Sequence, residues 1–218
     1  MEEMKISRKR GIYEKYIKRL FDIICSLLAI ICFSWLYIIV AVLVRIKLGS
    51  PILFKQPRPG LIDNKTGKEK IFYMYKFRTM TDKKDENGNL LPDEVRLTPF
   101  GKKLRATSLD ELPEAFNILK GDMSIIGPRP ALWNQGDLIA EREKYGANDV
   151  KPGLTGWAQI NGRDELEIPE KAKLDGEYVK RQSFLFDLKC FIGTISSVLK
   201  HEGFVEGKSS EMMESKKQ

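Results

Sequence analysis

The chain has 218 residues, enough for one domain or for one domain with a membrane element. Its 37 lysines and arginines outnumber its 30 acidic residues, and the net charge of +7 predicts an anionic partner. No nucleic-acid-binding signature accompanies that charge, so we expect lipid headgroups and phosphate ligands and no nucleic acid. The single histidine, His201, excludes a histidine triad and a multi-histidine zinc site. Acid–base or nucleophilic chemistry must therefore fall to Asp, Glu, Lys or Tyr.

The first element in chain order is an apolar segment that runs from Ile23 to Val44 without a charged residue or a proline. Its 22 residues are enough to cross the roughly 30 Å hydrocarbon core of a bilayer as a helix. Basic residues flank both ends, which leaves two topologies open: a spanning helix of ambiguous orientation, or a helix that breaks and returns to the same face. A return needs a break near the middle of the segment, and Ser34 is the candidate.

The rest of the chain reads as short extended and helical stretches. Residues Gln56–Gly60, rich in proline and glycine, predict a turn with Arg58 at its centre. The pattern over Ile71–Met80 predicts an extended stretch with Lys76 and Arg78 on one face. The other predicted elements are a strand at Ile52–Phe54, an exposed loop at Thr81–Asp93, helices at Leu112–Lys120 and Asp137–Tyr145, a glycine-rich loop at Lys151–Arg163, and an amphipathic helix at Ser183–Lys200.

The last of these helices carries a single apolar stripe. Such a stripe can pack on the protein core or lie in a membrane interface, and both interpretations stay open. Its members are Phe184, Leu188, Phe191, Ile195 and Val198.

Two adjacent carboxylates, Asp110 and Glu111, precede the predicted helix Leu112–Lys120. One interpretation is structural, because Ser108 and Glu111 have the spacing of a capping box. The other is chemical: a helix N-terminus favours an ionised carboxylate and attracts phosphate, so Asp110 could attack phosphorus or hold a metal. Together with arginines in turns, a glycine-rich loop and a membrane segment, the pair favours phosphoryl transfer at a membrane surface.

Seven motifs, taken in order, resemble those of the monotopic phosphoglycosyl transferases, the bacterial sugar transferase family. The similarity runs from about Tyr13 to about Gly203 and is greatest to the small single-domain type that initiates bacterial N-linked protein glycosylation. The motifs are Gln56-Pro57-Arg58-Pro59-Gly60, Tyr75-Lys76-Phe77-Arg78-Thr79-Met80, Arg105, Ser108-Leu109-Asp110-Glu111-Leu112, Gly121-Asp122-Met123-Ser124, Gly127-Pro128-Arg129-Pro130 and Lys151-Pro152-Gly153-Leu154-Thr155-Gly156-Trp157.

This resemblance implies that the chain moves a phosphosugar from a UDP-sugar to polyprenyl phosphate and releases UMP, with Mg²⁺ as the cofactor. It implies that Asp110 is a nucleophile that forms a covalent phosphosugar adduct, that Glu111 completes the dyad, and that both hold the metal. An N-acetylated amino sugar is the donor class that the resemblance favours. The substrate-binding positions that it implies are Lys76, Arg105, Arg129, Arg163 and Asp175.

Two alternatives to this interpretation stay open at the level of the sequence. The first is a membrane-anchored, non-enzymatic scaffold whose acidic pair only caps a helix. The second is an enzyme in which Mg²⁺ assists direct attack by the lipid phosphate, without a covalent adduct.

One residue departs from the family pattern, because Trp35 follows Ser34 where the family has proline. Tryptophan neither removes a backbone donor nor clashes with the preceding turn. A break must then come from packing or from a hydrogen bond of Ser34 to the preceding turn. We expect a break and re-entry, because both flanks of the segment are basic.

The expected fold class is α+β: a helix-rich single domain with a re-entrant membrane helix and interfacial amphipathic helices. Residues 1–48 are expected to form a basic N-terminal segment and the membrane helix, residues 49–205 a cytosolic catalytic domain, and residues 206–218 a disordered tail. The expected location is the cytoplasmic face of the bacterial inner (plasma) membrane, in contact with membrane lipids.

Overall fold

The computed structural model describes residues 11–62, 69–162 and 166–200. Helices and two small sheets make up this part of the chain, which confirms the predicted mixture of α and β structure. The predicted tail at 206–218 lies outside the described residues. In chain order the elements are a π-helical stretch Tyr13–Lys18, α1 Arg19–Cys32, α2 Ser34–Leu48, β1 Leu53–Ile62, β2 Glu69–Phe77, α3 Asp93–Arg96, α4 Pro99–Ala106, a 3₁₀ turn Leu109–Glu111, α5 Glu114–Lys120, β3 Ser124–Ile126, α6 Gly136–Glu143, a 3₁₀ turn Ala147–Asp149, β4 Gly153–Thr155, α7 Trp157–Ile160, α8 Ile168–Arg181 and α9 Phe184–Lys200.

The first sheet is an antiparallel pair of long strands, β1 and β2. The predicted turn at Gln56–Gly60 is wrong, because these residues lie within β1, where Pro57 pairs with Tyr73 and Pro59 with Ile71. Each strand of a two-stranded sheet has a free edge, so a proline there removes no required ladder hydrogen bond. Strand β2 confirms the predicted extended stretch as far as Phe77.

Helix α5 packs against one face of β2 and is fixed to it by a buried amide. Side chains on the strand's even positions, Phe72 and Met74, are buried against Ile118 in a common hydrophobic cluster. Asn117 accepts from the Tyr75 backbone N–H at 3.0 Å and donates to the Tyr73 carbonyl at 2.7 Å. The relative position of α5 and β2 is therefore set by both packing and hydrogen bonds.

A second, parallel sheet pairs β3 with β4. The predicted glycine-rich loop Lys151–Arg163 is wrong in part, because it contains β4 and α7. Glycine is needed where the backbones meet: a Cβ at Gly153 would lie 2.1 Å from the Gly127 nitrogen. This close approach fixes the turn after β3, which carries Arg129.

The apolar segment forms two helices rather than one. Helices α1 and α2 meet at Phe33, and the two stretches Tyr13–Cys32 and Ser34–Leu48 are bent by 64°. Within the described residues, neither stretch alone has the length and composition of a bilayer-spanning helix, although the bent pair together does. The break falls one residue before Ser34, and the Ser34 side chain does not cap α2.

Packing explains the bend, since both arms are attached to the rest of the protein. On α1, Asp22 accepts from the Ser124 hydroxyl and from the Ile125 backbone N–H, each at 3.0 Å. On α2, Val40 and Val44 are buried in a cluster with Phe77 and Leu104. A straight helix would separate Asp22 from Val44 by about 33 Å along its axis.

The outward faces of α1, α2 and α9 are strongly apolar. The stripe predicted on the last helix faces outward, so its alternative as a core-packing face is wrong for the four members whose side chains are described. The side of α9 that packs on the core carries Phe186 and Cys190 instead. Large apolar surfaces of this kind mark interaction sites. The exposed residues are Leu20, Phe21, Ile24, Leu27, Leu28 and Ile31 on α1, Trp35, Ile38, Ile39, Val42, Leu43 and Ile46 on α2, and Phe184, Leu185, Leu188, Phe191, Ile192 and Ile195 on α9.

Candidate active site

The acidic pair lies in a 3₁₀ turn between α4 and α5, not at the cap of a long helix. Helix α5 begins at Glu114, so the predicted start at Leu112 is wrong by two residues. The capping box is also wrong, because Ser108 has a φ of 54° and its side chain makes no capping hydrogen bond. Ser108 is the only non-glycine residue of the described chain with positive φ. Such a backbone conformation is held in place by its surroundings and is common at functional sites.

Strand β2 contributes Lys76 to the site. Lys76 follows Phe72 and Met74 on the face of β2 that packs on α5, because side chains on a strand alternate with a period of two. Its ammonium Nζ lies 2.7 Å from Glu111 Oε1 and 3.2 Å from Glu114 Oε1. One lysine therefore joins two carboxylates, one on each side of Pro113.

The turn after β3 contributes Arg129 to the site. One guanidinium nitrogen of Arg129 lies 3.2 Å from the same Glu111 oxygen that Lys76 contacts. Burial disfavours ionisation of Glu111, but Arg129 and Lys76 outweigh it and lower the pKa of this carboxyl below its ordinary value. Glu111 is thus held as an anion.

Asp110 has a different environment from its neighbour. It is 7% exposed, and within the described residues the two ion pairs of the dyad, to Lys76 and to Arg129, are both made by Glu111. Burial raises the pKa of Asp110 to about 6, with a further contribution from the negative charge of Glu111, while Lys76 and Arg105 oppose the rise. An ionised Asp110 is therefore poorly solvated, which favours its use as a nucleophile or as a ligand for a cation.

Arg105 supports the dyad from α4. Its Nε donates to the Thr79 hydroxyl at 3.1 Å, and its charge lowers the pKa of Asp110. The structure thus brings five of the predicted residues together around one carboxylate pair: Lys76, Arg105, Asp110, Glu111 and Arg129.

A basic cavity of about 230 Å³ adjoins the dyad. Four cationic side chains line it, Arg58, Arg129, Arg142 and Lys171, and no carboxylate does so among the described residues. Arg129 belongs to both places, since it lines the cavity and contacts Glu111. Such a lining suits an anionic ligand of the size of a phosphate-bearing group.

Arg58 enters the cavity from β1. Its two terminal nitrogens donate to the Pro130 carbonyl at 3.0 Å and to the Gln56 side chain at 2.7 Å. Its Nε is buried and has no hydrogen-bond partner. Burial lowers the pKa of Arg58 to about 10, with a further contribution from Arg129. An unpaired buried guanidinium N–H is costly, so an arriving anion would be stabilised here.

Asp175 lies behind this cavity rather than in its lining. It is fully buried on α8, and its Oδ2 accepts from Arg142 Nε at 2.8 Å and pairs with another Arg142 nitrogen at 2.6 Å. Arg142 in turn donates to the Arg129 carbonyl at 2.9 Å. Asp175 therefore fixes Arg142 and, through it, the turn that holds Arg129.

Two further predicted positions are not part of the site that the structure describes. Arg163 lies outside the described residues, and Ser34 belongs to the helix bend rather than to the catalytic site. Sequence reasoning did not assign Glu114, Arg142 or Lys171 to the site. The spacing of Arg142 and Lys171 carries no signal, because α6 and α8 reach the cavity only through tertiary packing, whereas Glu114 lies only three residues after Glu111. Arg58 lies in the family motif Gln56–Gly60, and that motif was the one signal in the sequence that could have assigned it to the site.

The carboxylates of the site fit a Mg²⁺ ion that takes few of its ligands from the protein. Within the described residues no group of three or more His, Cys, Asp or Glu side chains is arranged to hold a metal ion. Mg²⁺ usually needs only one or two protein carboxylates, with water and substrate phosphate completing its shell. Asp110 can supply such an oxygen directly, whereas Glu111 is already engaged by Lys76 and Arg129.

Comparison with known proteins identifies the family of the chain. The family model described as bacterial sugar transferase matches residues 13–201. The chain therefore belongs to the bacterial sugar transferase family, as the motifs predicted.

Three relatives show the range of the similarity. The chain is 48% identical over 187 residues to the uncharacterized sugar transferase EpsL of Bacillus subtilis (strain 168), a match that covers 86% of this chain and 89% of that protein. It is 38% identical over 191 residues to the undecaprenyl-phosphate glucose phosphotransferase of Komagataeibacter xylinus, covering 82% of this chain and 35% of that protein. It is 35% identical over 193 residues to the UDP-N-acetylgalactosamine-undecaprenyl-phosphate N-acetylgalactosaminephosphotransferase of Aeromonas hydrophila, covering 84% and 44%. The chain thus spans less than half the length of the latter two.

Proposed function

We propose that the chain transfers a sugar 1-phosphate from a UDP-sugar to undecaprenyl phosphate or a similar polyprenyl phosphate, and releases UMP. The observation that carries this proposal is the connection, through Arg129, of a buried carboxylate dyad to a cavity lined by four cations. The named activities of the relatives support the same reaction class. A non-enzymatic scaffold would have no use for this arrangement.

The chemical step that we propose has two halves. A carboxylate oxygen of Asp110 attacks the phosphorus that bears the sugar, the bond from that phosphorus to the bridging oxygen breaks, and UMP leaves with the electron pair. An oxygen of the polyprenyl phosphate then attacks the same phosphorus and returns Asp110 to its carboxylate form. The covalent intermediate lets one buried site serve a soluble donor and then a lipid acceptor.

The cations of the site reduce the electrostatic repulsion between the nucleophile and the donor. An anionic nucleophile and a diphosphate repel each other, so the approach needs positive charge that is already in place. Lys76 and Arg105 act on Asp110, and Arg58 and Arg129 face the donor. We include Arg163 among the donor-binding residues on the strength of its motif. Mg²⁺, held by Asp110 with Glu111 nearby, would neutralise phosphate charge and stabilise the leaving group.

The bent helix pair sets the membrane arrangement that we propose. Asp22 on α1 and Val44 on α2 attach to the same domain, which supports the proposal that both ends of the pair lie on one side of the membrane, as in a re-entrant helix. The exposed apolar faces of α1, α2 and α9 would then lie in one leaflet. We place the domain at the cytoplasmic face, where the flanking basic residues are favoured.

Covalent labelling tests the mechanism directly. The purified chain is incubated with Mg²⁺ and a UDP-sugar, without lipid, and its intact mass is measured. We expect a mass increase equal to one phosphosugar, its absence in Asp110→Asn, and its presence in the matched surface variant Asp137→Asn. Addition of polyprenyl phosphate should remove the adduct. UMP release that needs lipid, with no adduct at any time, would favour direct transfer instead.

A cysteine-accessibility experiment tests the topology. Single cysteines are introduced at Lys5 and Lys47, after the native Cys25, Cys32 and Cys190 are replaced by serine. Both positions should react with a membrane-impermeant probe from the same side. Reaction from opposite sides would show that the pair spans the bilayer.

The donor that we propose is a UDP-linked N-acetylated amino sugar. The relatives reported above include a glucose and an N-acetylgalactosamine phosphotransferase, so the N-acetylated amino sugar stays a prediction. Nucleotide release measured across a panel of UDP-sugars identifies the donor. A preference for UDP-glucose over every N-acetylated donor would show that prediction to be wrong.

A further inference from the structure

We propose that Glu114 is a positioning residue for the transfer reaction, and that it holds the Lys76 ammonium in place between itself and Glu111. The inference rests on the proposed function, since it gives a role to a third carboxylate beside the dyad. Glu114 is the first residue of α5 and is only 3% exposed. Carboxylates are rarely buried to this degree unless they are paired.

The partner of Glu114 is the same ammonium that contacts the dyad. Lys76 Nζ lies 3.2 Å from Glu114 Oε1 and 2.7 Å from Glu111 Oε1. A lysine ammonium has three N–H donors on a flexible four-carbon stem. Two fixed acceptors confine the ammonium, and the third donor stays available for an incoming phosphate oxygen.

The two elements that carry this contact are locked together one helical turn away. Asn117, three residues after Glu114, hydrogen-bonds to the backbone of Tyr73 and Tyr75 on the strand that carries Lys76. The backbone positions of Glu114 and Lys76 are therefore fixed relative to each other. A carboxylate on such a scaffold can place an ammonium much more precisely than a surface ion pair can.

Precise placement of Lys76 matters because its charge acts on the Asp110 carboxylate. With Glu111 as the only acceptor, the ammonium could swing about that contact. Small misplacements of a positioned group cost rate more than affinity, because the reacting atoms must be aligned. Glu114 is thus expected to affect kcat, by way of Lys76, while leaving donor binding largely unchanged.

Three substitutions of Glu114 separate positioning from charge and from packing. Glu114→Gln keeps the length and an acceptor oxygen but loses the charge. Glu114→Leu keeps the volume and loses the acceptor. Glu114→Asp keeps the charge but shortens the reach to Lys76. The control is Glu141→Ala, which removes a partly exposed carboxylate whose partner is the exposed Lys144.

The experiment measures kcat and KM for UMP release, together with the melting temperature of each variant in detergent. We expect Glu114→Gln to retain kcat within about threefold, and Glu114→Leu and Glu114→Asp to lose about 10- to 100-fold in kcat with KM nearly unchanged. Wild-type kcat in both the Leu and the Asp variants would overturn the proposal. A Gln variant as slow as the Leu variant would overturn it too, since the role would then be one of charge.

Two controls keep these outcomes interpretable. If Glu114→Leu fails to fold, the comparison of Gln with Asp still decides between positioning and charge. If the wild-type chain and Glu141→Ala release no UMP from any UDP-sugar, the proposed function itself fails, which is a different result from an active chain that tolerates loss of Glu114.

Discussion

The Arg129 guanidinium lies 3.2 Å from Glu111 Oε1 and also lines the basic cavity, so a single side chain joins the acidic dyad to the place where an anion would bind. Its backbone carbonyl accepts from Arg142, which is held by the buried Asp175. Arg129 is therefore held both by its ion pair with Glu111 and by the hydrogen bond from Arg142 to its backbone carbonyl.

Replacement of Arg129 should weaken both donor binding and turnover. We expect Arg129→Met to raise KM for the UDP-sugar and to lower kcat/KM by about 10- to 100-fold, because a hydrogen bond to a charged group contributes about 1.5–3 kcal/mol and the Arg129 side chain, which is 39% exposed, is partly screened by solvent. Arg129→Lys, which keeps the charge but loses the planar fork, should fall in between. Steady-state kinetics with Lys144→Met as the exposed control checks this. Equal activity of Arg129→Met and wild type would contradict the assignment.

The buried charge on Asp110 should cost stability. Its folded pKa of about 6 lies above the ordinary 3.8. The folded state then binds the proton more tightly than the unfolded state does, so stability falls as pH rises between these two values. At neutral pH the ionised group costs about 2–3 kcal/mol, an order-of-magnitude figure.

We therefore expect Asp110→Asn to melt at a higher temperature than wild type near neutral pH in EDTA, with the gain shrinking toward pH 4. Differential scanning calorimetry across this range provides the measurement, with the exposed Asp137→Asn as the control. A variant that is no more stable than wild type near neutral pH would show that Asp110 is well solvated.

Removal of divalent metal should stop the first half of the reaction. We expect EDTA to abolish adduct formation as well as turnover, and added Mg²⁺ to restore both, because the donor's diphosphate needs neutralisation before an anion can attack it. A metal effect confined to the second half, with the adduct forming in EDTA, would contradict this prediction. Intact-mass measurement separates the two halves.

Loss of the Asp22 carboxylate should loosen α1 from the domain. Asp22 accepts from the Ser124 hydroxyl and the Ile125 N–H, so Asp22→Ala leaves buried donors unpaired at a cost of about 1–3 kcal/mol each. Asp22→Asn keeps one acceptor and should cost less. Unfolding midpoints of the two variants in detergent, compared with wild type, check the order. Equal midpoints for Ala and wild type would mean that the contact contributes nothing.

The acidic pair stands out in the sequence, but its catalytic role came from the family resemblance, because the local pattern also fits a helix cap. Asp110 and Glu111 are adjacent, and Lys76 lies in an alternating stretch that forms a strand as predicted. The local backbone geometry could not be predicted from the sequence, because the left-handed Ser108 and the 3₁₀ turn depend on how α4 and α5 are joined. The expected capping box does not form.

The basic cavity lay beyond sequence reasoning for a different physical reason. Arg58, Arg142 and Lys171 come from β1, α6 and α8, and only tertiary packing gathers them. The prolines around Arg58 pointed to a turn because they are poor strand formers, yet a two-stranded sheet tolerates them at its edges. Packing also accounts for the helix break at Phe33, which lies two residues before Trp35, the residue that stands where the family has proline.

The double attachment of the bent helix pair also constrains its length. An extra residue inserted in α2 between Phe33 and Val40 would rotate the following helix by about 100° and turn Val40 and Val44 away from Phe77. Lipid alone would tolerate such an insertion, since the outward face is apolar almost throughout. The number of residues between the bend and the two packed valines is therefore dictated by the protein surface that they meet, and not by the lipid.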